Sequence, residues 1–207
     1  MPGRKIEIVV GISGASGAGL AVGFLRAILP VEAVGRVHLV VSPSALAVAR
    51  QEIGGEIADA SALVSHLALS PEAAAKIELH PDDDVAASIS SGSYPTDGMI
   101  VVPCSAGTLA SIANGISRGL LQRAADVTLK ERRPLVLAFR ESPYSLIHLE
   151  NMTRATRAGA IVMPPSPPFY IASPSIERLM QAYYFRAARV FGIDLPGDFV
   201  WRGGQLP

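Results

Sequence analysis

Four short segments of this 207-residue chain combine small, hydroxyl and charged residues at spacings suited to anion binding. They are Gly11-Ile12-Ser13-Gly14-Ala15-Ser16-Gly17, Val41-Ser42-Pro43-Ser44, Pro103-Cys104-Ser105-Ala106-Gly107-Thr108 and Arg140-Glu141. Hydroxyls and backbone N–H groups at the start of a helix bind phosphate. Each segment also has a plainer reading. Glycines are common in tight strand-to-helix turns, and Ser105 is a favoured helix N-cap. Arg140-Glu141 is harder to dismiss, because charges directly after a buried strand have little structural reason to be there. The first segment lacks the Gly-Lys-Ser/Thr of a Walker loop and the Gly-x-Gly-x-x-Gly spacing of a dinucleotide site. It therefore points to a mononucleotide.

Other polar residues read more plainly. Cys104 has no His or Lys beside it in sequence and reads as a buried small residue. Lys130-Glu131-Arg132-Arg133 reads as a solvated helix end, where cations suit the dipole. Ala86 to Tyr94 is small and polar: a flexible loop, or a lid or interface segment over a neighbour's site. Met163 to Tyr170 holds four prolines in eight residues, which excludes helix and makes a stiff extended loop. Phe169 and Tyr170 at its end could wall an apolar pocket. The histidines at 38, 66, 80 and 148 share no common metal-ligand spacing. His38 reads as a strand residue, and no metal site is expected.

These residues need elements to position them. Apolar, β-branched runs predict strands at 5–11, 36–42, 98–103, 134–139 and 159–163, with a short extended piece at 76–79. Helical patterns fall at 18–29, 44–52, 105–114, 119–130, 144–157 and 174–191. Continuous apolar strands such as Met99-Ile100-Val101-Val102 belong to a parallel sheet covered on both faces. The alternation predicts right-handed βαβ units in a three-layer α/β sandwich, as one domain over 1–207. The four anion-binding segments each follow a strand, so they share one rim of the sheet.

Composition limits the partners. Lys plus Arg and Asp plus Glu number 18 each, so no net field draws nucleic acid or an anionic membrane. No apolar run reaches the roughly 18 residues of a membrane span. A single cysteine excludes an internal disulfide and suits a reducing cytosol. Met1 to Lys5 lacks the layout of a signal peptide, so a cytoplasmic protein is expected. Apolar residues make up 49% of the chain and charged residues 17%, an apolar surplus that points to subunit interfaces.

Taken in order, the motifs resemble the UbiX-type flavin prenyltransferases over nearly the whole chain. The resemblance rests on Gly11 to Ala18, Ala86 to Ser93, Pro103-Cys104-Ser105, Arg123 to Val127 and Leu129 to Leu137. It continues through Arg140-Glu141, His148-Leu149, Gly159-Ala160, Met163-Pro164-Pro165 and Phe169-Tyr170. It implies a Rossmann-like, flavodoxin-like domain, usually assembled into dodecamers with active sites at subunit interfaces. It implies metal-independent transfer of a dimethylallyl group from dimethylallyl phosphate to N5 and C6 of reduced FMN. The product, prenyl-FMN, serves a UbiD-type decarboxylase. The resemblance assigns FMN binding to Gly14, Ala15, Ser16, Ser42, Ser105, Ala106, Gly107, Thr108 and Arg140. It assigns the donor phosphate to Lys130, Tyr170 and Arg186, with Arg123 assisting at the interface. Ser16, Glu52 and Glu141 are its candidates beside the reacting atoms. An FMN or prenyl-FMN carrier without transferase activity is the alternative. An FMN-dependent cysteine decarboxylase is a third reading, but the catalytic His and Pro-x-Met-Asn-type segment it expects are absent from the sequence.

Overall fold

The apolar runs pair into one sheet. The computed structural model describes residues 4–54, 57–171, 173, 175–197 and 199–200. Its strands are Ile6–Ile12 (β1), Val34–Val41 (β2), Ile77–His80 (β3), Gly98–Cys104 (β4), Leu135–Phe139 (β5) and Ile161–Val162 (β6). All pairings are parallel, in the order β3-β2-β1-β4-β5-β6. β4 and β5 are buried at every position, as expected of strands covered on both faces. The chain runs outward from β1 to β3, then restarts beside β1 at β4. The carboxyl ends of β1 and β4 therefore flank the topological switch point, where doubly wound sheets bind ligands.

The helices are Ala18–Ile28 (α1), Pro43–Glu52 (α2), Ala60–His66 (α3), Pro71–Ala74 (α4), Ala106–Ala113 (α5), Leu120–Lys130 (α6), Leu146–Arg157 (α7) and Ile176–Arg189 (α8). One core packs α1, α2 and α8 on one sheet face through Phe24, Leu25, Ala49 and Tyr183. The other packs α5, α6 and α7 on the opposite face through Leu109, Leu121 and Ala155. The expected three layers are present.

Polar side chains fix where several helices begin. Ser42, Asp59, Ser70, Ser105, Ser145 and Ser175 each accept a backbone N–H of the first turn. α3 and α4 have no counterpart among the predicted helices. β6 is two residues long, against the five expected, and pairs only with β5.

Candidate functional site

Two loops meet at the switch point, and a serine joins them. Ser13, 3% exposed, donates its hydroxyl to the Pro103 carbonyl at 3.0 Å and accepts the Ser105 N–H at 2.8 Å. The β1–α1 loop is thereby latched to the β4–α5 loop. The first loop also rests on the third. A Cβ built on Gly14 would stand 2.5 Å from the Ser44 Cβ and Oγ, so only glycine permits this approach. Ser44 Oγ in turn lies 3.1 Å from Ser42 Oγ, which caps α2 through the Ala45 N–H. Gly17 has φ 114°, a left-handed turn that sends the chain into α1.

The N-termini of α1 and α5, which flank the switch point, differ. At α1, the N–H groups of Gly17 and Ala18 both donate to the Glu52 carboxylate, at 2.8 Å each to Oε2. Glu52 arrives from the end of α2 and occupies the positive end of α1. Partial desolvation pushes its carboxyl up. The Ser16 hydroxyl, the two N–H donors and the nearby Arg140 charge outweigh that and hold it below the usual range. At α5, Ser105 Oγ accepts the Thr108 N–H at 3.3 Å and donates to Thr108 Oγ1 at 3.0 Å. Ala106 and Gly107 open this helix, so their N–H groups have no carbonyl one turn earlier. α5 thus offers the open anion site of the pair, whereas α1 is capped by a carboxylate.

Arg140 follows β5 and is exposed; its N–H donates to the Cys104 carbonyl at 3.1 Å, which fixes it beside the end of β4. Glu141 is half-buried and accepts the Ser142 N–H at 3.0 Å. Gly14, Ala15, Ser16, Ser42, Ser105 to Thr108, Glu52, Arg140 and Glu141 therefore share the carboxyl edge of the sheet. Cys104 is fully buried and burial pushes its thiol up, so it is no nucleophile. Tyr170 lies in a short 3-10 helix, Phe169–Ile171, and lines a shallow cavity of about 300 Å³ with Arg186.

Lys130 lies elsewhere, and Arg123 is held on α6. α6 ends at Lys130 just before β5 begins, whereas Arg140 follows the end of β5. Five strand residues at about 3.3 Å each separate the two by roughly 16 Å along the sheet. Lys130 pairs with Glu131 beside Gly92. Arg123 donates to the Ser90 carbonyl at 3.0 Å and to Asp126 at 2.6 Å. Arg133 holds the same segment through the carbonyls of Gly92 and Tyr94. The Ala86 to Tyr94 stretch is thus strapped along α6, with the donor-phosphate candidates Lys130 and Arg123 beside it. One chain gathers the rim residues but not Lys130.

Two features are not visible in the sequence. Ser13 and Ser44 lie within the quoted segments but carry no role there; only the approach of the loops reveals one. The structure also brings His38, Glu78 and His80 together, with ligand atoms all within 4.8 Å of one another. The sequence alone hides this cluster, because its spacing is set by the β2–β3 register, His38 opposite Glu78. Burial pushes His38 below the ordinary histidine range, against the pull of Glu78 and Glu7.

A doubly wound sheet with an open helix N-terminus, clustered hydroxyls and an arginine at its switch point defines a phosphate-binding α/β protein of the Rossmann-like class. The family model described as "Flavoprotein" matches residues 2–182. The flavin prenyltransferase UbiX of Deinococcus radiodurans is 45% identical over 201 residues, 97% of this chain and 96% of that one. The solved structure of AnUbiX (PadA1) in complex with FMN and dimethylallyl pyrophosphate superposes with a TM-score of 0.81. It is 41% identical and covers 98% of this chain and 100% of its own. A dodecameric FMN-dependent UbiX-like decarboxylase from Escherichia coli O157:H7 gives a TM-score of 0.83 at 40% identity, covering 96% and 100%. The chain belongs to the flavoprotein family, among the UbiX-type flavin prenyltransferases.

Proposed function

We infer that this chain is a flavin prenyltransferase that joins a dimethylallyl group to reduced FMN, acting as a single flavoprotein domain. The observation that carries the reading is the convergence of three loops and Arg140 at the switch point, in a chain of this family. The residues fit an FMN phosphate. Ala106 and Gly107 offer unpaired N–H groups, Ser42 and Ser105 offer hydroxyls, and Arg140 offers charge. Gly14, Ala15 and Ser16 form the adjoining wall, where the packing of Gly14 on Ser44 keeps the loop close. Reduced FMN supplies the nucleophilic N5 and C6 that take up the five-carbon unit.

The chain's residues then handle charge and protons. Breaking the allylic C–O bond of dimethylallyl phosphate develops negative charge on the leaving phosphate. Lys130, Arg123 and Arg186 offset that charge, and the Tyr170 hydroxyl donates to it. The Tyr170 ring face stabilises the allylic cation by roughly 2 kcal/mol when water is excluded. Ser16, hydrogen-bonded to Glu52, orients the acceptor atom, and the pair forms a short proton path at the rim. Ring closure then delivers one proton to the N5-bound alkene and removes one from C6, and Glu141 or the released phosphate shuttles them.

Because Lys130 stands at the far edge of its own sheet, a second copy brings it to the rim. Exposed Tyr144, Leu146, Ile147 and Leu149 lie just beyond Arg140-Glu141 and suit burial against such a copy. The AnUbiX complex with both substrates and the dodecameric relative support this donor class and an oligomer. Among the described residues no helix is long and apolar enough to cross a membrane. A cytoplasmic location suits the single reduced Cys104, and a UbiD-type decarboxylase is the recipient for the product.

The test is direct. Incubate the protein with reduced FMN and either dimethylallyl phosphate or dimethylallyl diphosphate, then weigh the flavin. The expected outcome is a flavin heavier by one C5 unit with at least one donor. Tight FMN binding with no mass gain from either donor overturns the transferase reading in favour of a carrier.

A further inference from the structure

A polar cluster sits on one face of β1, β2 and β3, away from the rim. His38 is fully buried and His80 is 8% exposed, while Glu78 opens partly to solvent. His38 Nδ1 and His80 Nε2 face each other at 3.0 Å. Glu78 Oε1 lies 3.6 Å from His80 Nε2, and Oε2 lies 3.8 Å from His38 Nδ1. With metal–ligand bonds of about 2.0–2.1 Å, two ligand atoms of a tetrahedral zinc stand about 3.3 Å apart. The two separations made with His80 Nε2, 3.0 Å to His38 Nδ1 and 3.6 Å to Glu78 Oε1, bracket that value, and all three ligand atoms lie within 4.8 Å of one another. Arg36 holds Glu78 Oε2 at 2.5 Å, which leaves Oε1 turned toward His80.

We propose that His38 Nδ1, His80 Nε2 and a Glu78 oxygen form a divalent-metal site, for Zn²⁺ by its N/O donor set, with a fourth position open to water. A second observation supports it. His38 Nε2 is buried and has no hydrogen-bond partner, yet it points at Glu7 Oε2 at 3.7 Å. Metal on Nδ1 requires the proton on Nε2, and Glu7 is the carboxylate placed to receive it. Metal-bound histidines are normally oriented by such a partner. Tyr94 completes the surround: its hydroxyl donates to Glu7 at 3.1 Å, and its ring meets His38 edge-on. Without metal, the two imidazole nitrogens at 3.0 Å must share one proton; with metal, both present lone pairs and His80 carries its proton on Nδ1. The site would tie edge strand β3 and the segment before β4 to the sheet. It takes no part in prenyl transfer and stands independently of the proposed function.

The test uses the full chain, stripped with a chelator and dialysed. Co²⁺ is added as a spectroscopic probe and then displaced by Zn²⁺, with metal per chain counted by mass spectrometry. One Co²⁺ per chain with tetrahedral ligand-field bands is expected. His80→Gln and Glu78→Gln should each abolish those bands. Glu7→Gln should keep them and weaken binding by about 10–100-fold, while His66→Gln changes nothing. Circular dichroism checks that each variant folds. Should His80→Gln fail to fold, the half-exposed Glu78→Gln and the wild-type stoichiometry decide. Binding below one metal per chain, or bands retained in Glu78→Gln, overturns the proposal.

Discussion

Ser13→Ala tests whether the latch between the two anion-binding loops matters. The hydroxyl makes one buried and one half-buried hydrogen bond, donating to the Pro103 carbonyl and accepting the Ser105 N–H. The Pro103 carbonyl keeps a second donor, the Ser13 N–H at 3.3 Å. The Ser105 N–H keeps none. The loss is one net hydrogen bond, about 1 kcal/mol, and one stranded donor, about 1–2 kcal/mol. The expected destabilisation is about 2–3 kcal/mol, a fall in Tm of roughly 4–12 °C for a chain of this length. Ser105 also caps α5, whose N-terminus is the proposed phosphate site, so FMN affinity should fall with stability. Scanning calorimetry and a flavin fluorescence titration on the same samples read both effects. A Ser13→Ala protein with wild-type Tm and wild-type FMN affinity would refute the latch.

Further predictions concern charge at the rim. Glu52→Gln should cost about 0.3–1 kcal/mol, the usual worth of an exposed carboxylate at a helix N-terminus, and should slow prenyl transfer more than it weakens FMN binding; equal kcat would remove Glu52 from the proton path. The Glu52 carboxyl is held below its ordinary value, so its stabilisation is complete above that value and disappears as pH falls through the lower, folded one. The Tm of wild type and Glu52→Gln should therefore converge in acid and separate toward neutrality, and parallel curves would contradict the assignment. Lys130→Ala should abolish product while leaving FMN affinity within about twofold, since Lys130 is assigned to the donor phosphate and not to FMN; a flavin titration beside the turnover assay separates the two. Gly14→Ala should weaken FMN binding, because its Cβ must displace Ser44 and open the cradle.

Much of this was legible in the sequence, for identifiable reasons. The strands were visible because β4 and β5 are apolar at nearly every position, and each anion-binding segment follows one of them. Rim placement followed from parallel topology alone. α3 and α4 escaped notice because their apolar periodicity is short, although Asp59 and the Ser70-Pro71 pair do mark their starts. The place of Glu52 is not legible from its neighbours in sequence, which say nothing of α1; it depends on a contact across 35 residues. The His38–Glu78–His80 cluster was hidden for the same kind of reason, being a product of strand register. The separation of Lys130 from Arg140 is implicit in the strand predicted at 134–139, which one precedes and the other follows, whereas the motifs alone group the two.

The central claim is that two chains share one active site, the rim of one meeting Lys130 of another. Subunit complementation tests it most directly. Arg140→Ala and Lys130→Ala chains, each inactive alone, are co-expressed in equal amounts and the mixed oligomer is assayed for prenyl-FMN. Random pairing leaves about a quarter of the interfaces with both residues intact, so activity near a quarter of wild type is expected. A mixed oligomer as inactive as its parents would mean that both residues act within one chain, and would contradict the account.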